Sequence, residues 1–313
     1  MMPIEASTFA PQVDGIFWML VVASAATMLL VGTLVLFFSI KYRRGTAAKR
    51  GPVPEKMSRE VEIGWTAVTL FGFLFFFWFA AVAETKQFEI PKKAMEIHVV
   101  AKQWMWKIEH PNGVREINAL HIPVGVPVRL VMTSQDVIHS FFVPAFRTKQ
   151  DVVPGRYVES WFQASKTGTF HLFCAEYCGT DHSRMIGGIV VQSRADYARW
   201  AAAQPQGDTL ADQGAVLFER MGCTGCHGGS AQVRAPDLRG IFGRPQPVEG
   251  GGFVTADESY LRDSIMLPQR DVVAGYQPIM PSYQNVASED DLIRLIAYLK
   301  SPKVDASRQE VAR

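Results

Sequence analysis

An excess of charge of either sign is what this sequence most plainly lacks. Its 32 lysines and arginines stand against 30 aspartates and glutamates, a formal net charge of +2. That leaves no basic surplus with which to hold a nucleic acid. The first stretch of the chain carries only Glu5 and Asp14 as charges, so the basic n-region of a cleaved secretory signal is missing. Cysteine is scarce, with 4 in the chain, and all of them fall in two close-set pairs, Cys174 with Cys178 and Cys223 with Cys226. Two further stretches, 16–40 and 63–83, have no charged residue at all, and neither shows the polar stripe of a helix lying on a soluble domain.

Each uncharged stretch is long enough to cross a hydrocarbon core of ~30 Å as a helix, and the first is too long for the apolar part of a signal peptide. Two transmembrane helices are expected, at about 16–40 and 63–83. Between them Lys41, Arg43, Arg44, Lys49, Arg50, Lys56 and Arg59 outnumber Glu55 and Glu60, which places the connecting loop in the cytoplasm. Both termini then face outward. Everything from about Glu84 onward is extracytoplasmic: periplasmic in a Gram-negative bacterium, outside the membrane in a Gram-positive one. Trp18, Trp65 and Trp78 near the span ends fit interfacial anchors.

Beyond the spans the pattern changes to short β-prone runs at 97–101, 126–133, 157–163, 169–173 and 187–192. Asn112-Gly113 and Pro154-Gly155 are turn signals. Runs at this spacing predict an antiparallel sandwich or barrel. Within this region Cys174, Glu176, Cys178, His182 and Met185 crowd together. Two cysteines alone in an oxidising compartment would read as a local disulfide. The imidazole and thioether at these intervals read instead as a metal site, and a tetrahedral zinc site has no use for methionine, whereas copper electron-transfer sites use one. A further donor is available upstream in His139, just after the apolar run 128–132, at the rim of the predicted barrel. Two bridging sulfurs, two histidines, one methionine and a backbone carbonyl make a binuclear copper centre. His98, His110, His121 and His171 have no such company and read as structural or surface residues.

Residues 196–213 are alanine-rich and polar and read as a linker leading into a helix. Then Cys223, Cys226 and His227 form the c-type haem attachment motif, in which two thiols add to the haem vinyl groups and the adjacent imidazole ligates iron. A bare pair of cysteines at this spacing could be a redox dithiol, but the following histidine argues for haem. Two methionines could supply the sixth ligand. Met266 lies in a predicted helix over 260–267, where methionine is usually core filler. Met280, between Pro278 and Pro281 in a loop before the amphipathic stretch 290–300, is the better placed.

His139 with Cys174, Glu176, Cys178, His182 and Met185 resembles the copper-A motif of cytochrome c oxidase subunit II, and the resemblance runs from the first span to about Ser193. It implies a cupredoxin-like Greek-key β-barrel with the copper loop between the last strands. It also implies that Trp104, in the Gln103-Trp104-Met105-Trp106 stretch, is where electrons enter, and that Trp106 packs. Spacing alone would put both rings on one face of a strand. Glu62, near the start of the second helix, resembles the carboxylate that feeds protons to the catalytic subunit, although a carboxylate at a helix N-terminus is also just a favourable dipole contact. Where the family usually carries a proline, this chain has Thr69, which puts any kink in doubt. A magnesium ion at the subunit interface through Glu176 is a further implication. The C-terminal region resembles class I cytochromes c, in which the residue matching Pro236 lends its carbonyl to the ligating histidine.

The reading is a multidomain membrane protein: a two-helix transmembrane hairpin within 1–94, the copper barrel at 95–195, a linker at 196–213, an all-α class I cytochrome c domain at 214–302 and a tail at 303–313. A copper-A barrel fused to haem c is the pattern of subunit II in caa-type haem–copper oxidases. The implied partners are catalytic subunit I, which reduces oxygen to water and pumps protons, other oxidase subunits, and cytochrome c or a bc-type complex as electron donor. The implied place is the bacterial inner membrane. A subunit of a copper-A nitric oxide reductase, or an anchored electron carrier with no catalytic partner, would use the same cofactors. Glu62 and the full hairpin favour the oxidase, since a carrier needs only one anchor.

Overall fold

The computed structural model describes residues 2–204, 208–228, 234–302 and 304; the tail expected at 303–313 therefore lies almost wholly outside the described residues. The chain forms two compact units, one of residues 7–89 and one of residues 1–6 with 90–313.

The first unit is a pair of helices, α1 (Ala10–Lys41) and α2 (Glu55–Phe88), both long and apolar enough to cross a membrane. Their 32 and 34 residues exceed the ~20 needed to span the hydrocarbon. Backbone hydrogen bonding runs on past the apolar stretches into charged ends, where hydropathy stops. The second helix passes Thr69 without a break, and the Thr69 hydroxyl donates back to the Trp65 and Thr66 carbonyls, both at 3.0 Å. Glu62 lies beyond the first turn of α2 and accepts a hydrogen bond from Ser58 Oγ at 3.3 Å. The helix dipole acts within the first turn, so that simpler explanation of Glu62 falls away.

The second unit begins with ten strands: β1 (Met95–Lys102), β2 (Met105–Glu109), β3 (Arg115–Ile117), β4 (Ala119–Pro123), β5 (Pro127–Ser134), β6 (His139–Val143), β7 (Thr148–Val152), β8 (Val158–Gln163), β9 (Gly168–Cys174) and β10 (Ile186–Gln192). They form two five-stranded sheets, ordered β3-β2-β1-β5-β8 and β4-β10-β9-β6-β7, in a cupredoxin-like domain. Most pairs are antiparallel as expected, but β1 with β5 and β10 with β4 are parallel. Trp106, Leu130, Phe141, Phe146, Phe162 and Leu172 fill the core between the sheets. Alternation along β9 is clean, with Phe170, Leu172 and Cys174 inward and their neighbours exposed. In β1, by contrast, 97–101 are buried on both faces; Val99 joins the barrel core while Val100 packs with Leu210 and Ile293 of the next domain.

α3 (Arg194–Ala203) follows directly, capped by Ser193, whose side chain accepts from the Asp196 N–H. It occupies much of the stretch read as a linker and rests on the barrel, with Trp200 stacked on His121 at 4.4 Å. The C-terminal domain comprises α4 (Leu210–Arg220), α5 (Thr224–His227), a ribbon of β11 (Pro245–Pro247) and β12 (Phe253–Thr255), α6 (Glu258–Met266) and α7 (Glu289–Lys300). Among the described residues its regular structure is helical apart from that ribbon, with long irregular stretches between the elements. Thr209 with Asp212 and Ser288 with Asp291 form capping boxes that start α4 and α7.

Candidate functional site

Strands β6 and β9 lie side by side with Phe141 opposite Cys174. His139, first in β6, and Cys174, last in β9, therefore reach the same end of their sheet. The loop from β9 to β10 folds back over them: the Cys174 N–H donates to the Met185 carbonyl at 3.2 Å and the Ala175 N–H to the Ser140 carbonyl at 3.0 Å. This brings the two sulfurs to 3.7 Å. Cys174 Sγ lies 3.9 Å from His139 Nδ1 and 3.2 Å from the Glu176 carbonyl oxygen. Cys178 Sγ lies 3.4 Å from His182 Nδ1 and 3.9 Å from Met185 Sδ. The donors thus divide into two matching groups, each with one imidazole and one weak donor beside a sulfur. Cys174, Cys178, Met185 and His139 are all buried; Glu176 offers its carbonyl inward while the residue is exposed.

Burial pushes both thiols up. For Cys174, hydrogen bonds from His139 and nearby backbone groups outweigh burial and lower it, whereas for Cys178 the neighbouring Cys174 adds to burial and raises it further. One negative charge is easily formed and the second resisted. A cation placed between the sulfurs removes that resistance, so the soft donor set fits copper and does so with release of protons.

The haem domain encloses an apolar cavity walled by Phe218, Tyr260, Leu261, Leu295 and Leu299, with Cys223, Cys226, His227 and Met280 on its lining. His227 Nδ1 is 3.1 Å from the Pro236 carbonyl oxygen, which leaves Nε2 for iron and fixes the ring as such partners do. Met266 is not on the lining. It ends α6, and its carbonyl accepts from Ser282 Oγ at 2.6 Å while Tyr283 OH donates to the Met221 carbonyl at 2.9 Å. Those two bonds pin the chain just after Met280 to both α6 and the end of α4, two residues before Cys223. Cavity and donors fit a covalently held haem.

Residues 114–194 match the family described as cytochrome C oxidase subunit II, periplasmic domain, and residues 211–303 match the cytochrome c family. The cytochrome c oxidase subunit 2 of Alkalihalophilus pseudofirmus is 32% identical over 94% of this chain and 89% of its own length. This chain belongs to the cytochrome c oxidase subunit II family. The alternative cytochrome c oxidase subunit 2 of Bradyrhizobium diazoefficiens is 28% identical over 64% of the chain and 82% of its own. Among solved structures, the periplasmic domain of subunit II of cytochrome oxidase from Bradyrhizobium japonicum is 35% identical, covering 36% of this chain and 94% of that one, with a TM-score of 0.35. With its two apolar helices, this subunit II is a membrane-anchored component of a haem–copper oxidase, and the matched domains imply copper and haem.

In this subunit II chain the candidate copper donors are braced by two residues to which no role was assigned from the sequence alone. Asp136 Oδ1 lies 2.8 Å from His139 Nε2, turning Nδ1 toward Cys174, and Asp136 Oδ2 accepts from the Gln103 N–H at 2.7 Å. The Gln103 side chain then donates to the Cys178 carbonyl at 2.8 Å, and Trp104 Nε1 donates to the same oxygen at 3.1 Å. Trp104 sits in the turn between β1 and β2 rather than on a strand, so it does not share a face with Trp106. Trp106 is wholly buried against Phe141. At Gly179, φ is +116° and a Cβ would come within 2.9 Å of Gln103 Nε2 and 3.2 Å of the Trp104 ring; only glycine lets the indole approach this closely. The one sequence signal for Asp136 was its position three residues before His139. Asp136→Asn keeps the shape and removes the charge. Copper should remain bound with affinity lowered by about 10- to 100-fold, measured by competition with a chelator; an unchanged affinity would show that Asp136 does not orient the ligand.

Of the other histidines, His110 and His121 share Glu116, at 2.8 and 2.5 Å. His98 pairs with Glu96 at 3.2 Å.

Proposed function

We propose that this chain takes electrons from an extracytoplasmic donor and delivers them to catalytic subunit I of a cytochrome c oxidase, which reduces oxygen to water and pumps protons. The observation that carries the reading is the convergence of two sulfurs, two imidazoles, a thioether and a carbonyl at 3.2–3.9 Å links on a chain that also holds a haem cavity. His139, Cys174, Glu176, Cys178, His182 and Met185 would hold two coppers; Cys223 and Cys226 would bind haem covalently, with His227 and Met280 as its axial ligands. Each group, when bound, carries one electron at a time.

The chain's own residues do the rest. Pro236 and Asp136 orient the two ligating imidazoles, and the apolar cavity wall excludes water. Trp104, hydrogen-bonded to the Cys178 carbonyl, is the proposed point at which electrons reach the copper loop. Glu62 is proposed to feed protons toward subunit I, and Glu176 to hold magnesium at the interface with it. The domains stand on the periplasmic or outer face of the bacterial inner membrane, facing cytochrome c or a bc-type complex. The relatives are named as oxidase subunits, which disfavours a nitric oxide reductase or a free carrier.

Met280→Ala tests the order of the carriers. Loss of the thioether should lower the haem potential and reduce turnover with the physiological type of donor. Turnover with a small reductant able to reach Trp104 should survive, and the copper spectrum should not change. Unchanged donor-driven turnover with methionine ligation lost would take the haem off the path; retained methionine ligation would make Met266 the ligand.

A further inference from the structure

The haem domain meets the barrel along α7 and α6. Helix α7 turns Leu295 and Leu299 to the haem cavity, while Ile293 and Ala297 pack with Val100 of β1 and Leu210. Beside this apolar strip lies a charge cluster. Arg129 of β5 binds Glu96 at 2.8 Å and Glu258 at 3.2 Å and forms a two-pronged pair with Glu159. Lys300, at the end of α7, bonds Glu258 at 2.7 Å and Glu96 at 2.8 Å. The barrel therefore contributes Arg129, Glu96 and Glu159 and the haem domain Lys300 and Glu258 to one network, and the Glu258 side chain is only 5% exposed.

Three more contacts extend the seam. Lys107 Nζ is 3.1 Å from Asp290, and Arg115 donates to Gln213 Oε1 at 2.7 Å. Tyr157 of the barrel packs against the haem-domain core, with its hydroxyl buried and unpaired. The described residues on either side of the join are also held: α3 lies on the barrel through Trp200, and Asp208 touches Gly113 so closely that a Cβ there would meet its carbonyl oxygen at 2.6 Å.

We propose that the haem domain does not swing on a tether but is fixed to the outer face of the β1–β5 sheet, with the Arg129–Glu96–Glu258–Lys300 cluster and Tyr157 as the fastening. Partly buried charges in a mutual network are screened much less by salt than exposed ones, and removing one member leaves the buried Glu258 short of a partner. A mobile domain that visited the barrel only through surface charge would instead detach as salt rises. The inference rests on the reading of 210–300 as a haem domain, but its test does not depend on electron transfer.

The intact oxidase, in detergent, is treated with a water-soluble carbodiimide, which joins a lysine amine to an adjacent carboxylate as an amide. Peptide mapping should find Lys107 joined to Asp290, in a yield that holds when KCl is raised from ~0.1 to ~1 M, over which the Debye length falls from about 10 to about 3 Å. In Arg129→Gln with Tyr157→Ser the yield should drop severalfold and become salt-sensitive, with copper and haem spectra unchanged. Glu258→Gln, on the haem-domain side, should do the same if the barrel variant fails to assemble. A wild-type yield that collapses in salt, or release variants that cross-link as the parent does, would overturn the fixed dock. Missing haem or copper in the parent would instead strike at the proposed function.

Discussion

Gly214→Ala is expected to lower the haem content of the C-terminal domain severalfold while leaving the barrel intact. Gly214 lies on α4 where it crosses α7, and a Cβ there would collide with the Arg294 carbonyl oxygen and come within 2.8 Å of Tyr298 Cβ. The obstacle is helix backbone, which cannot rotate aside. Alanine is the better helix former by about 1 kcal/mol, but overpacking typically costs about 1–3 kcal/mol, and separating these helices also moves Phe218 from Leu295 and Leu299, which wall the haem cavity. The steric term should win. Covalent haem per chain should fall severalfold, and the fraction that folds should melt several degrees lower, since about 1 kcal/mol shifts a domain of this size by roughly 4–8 °C. The barrel has its own core and should still bind copper. Parent-like haem content and melting would mean that the crossing opens at little cost.

Cys178→Ser should abolish the copper pair. Cys178 is the sulfur beside both His182 and Met185, so the change removes the anchor of one of the two donor groups, and a hydroxyl is a hard, protonated donor that copper at a thiolate–thioether site does not accept in exchange. Copper should fall from the proposed two per haem to one or none, and oxygen uptake with any donor should drop by at least about 100-fold, equivalent to a barrier raised by ~2.7 kcal/mol. The haem spectrum should be unaffected, because the cavity shares no residue with the loop. Retention of two coppers would refute the donor division around the sulfurs. The result differs in kind from Asp136→Asn, where the ligands remain and only their orientation loosens.

Much of this was legible in the chain because the signals are local. The spans were visible as uncharged runs, β1, β5, β8, β9 and β10 as β-prone runs, and most of the candidate metal and haem ligands as residues crowded into short motifs, with His139 and Met280 lying apart from them. The missed strands had other reasons to look irregular. β6 begins at His139 and reads as motif; β7 carries Lys149, Gln150 and Asp151, whose outward faces hide its alternation; β2 was absorbed into an aromatic stretch. Parallel pairing of β1 with β5 is a matter of register between distant segments. The brace from Asp136 through Gln103 to Cys178 joins positions 33 and 75 apart, and no local pattern encodes such partners. The stretch at 196–213 was composed like a linker, yet Ser193 with Asp196 is a helix-start signature that could have revealed α3.

The anchoring of α3 to the barrel changes the arithmetic of association. With α3 ending at Ala203 and α4 beginning at Leu210, only a few residues separate a point held on one partner from the first helix of the other. A short tether of this kind presents its cargo at a local concentration in the millimolar range or above. A face whose affinity as a separate protein would be no better than about 0.1 mM would still be occupied more than nine-tenths of the time at ~1 mM. Fusion thus lets the haem domain remain seated through a modest, partly polar seam that two free proteins would need to enlarge.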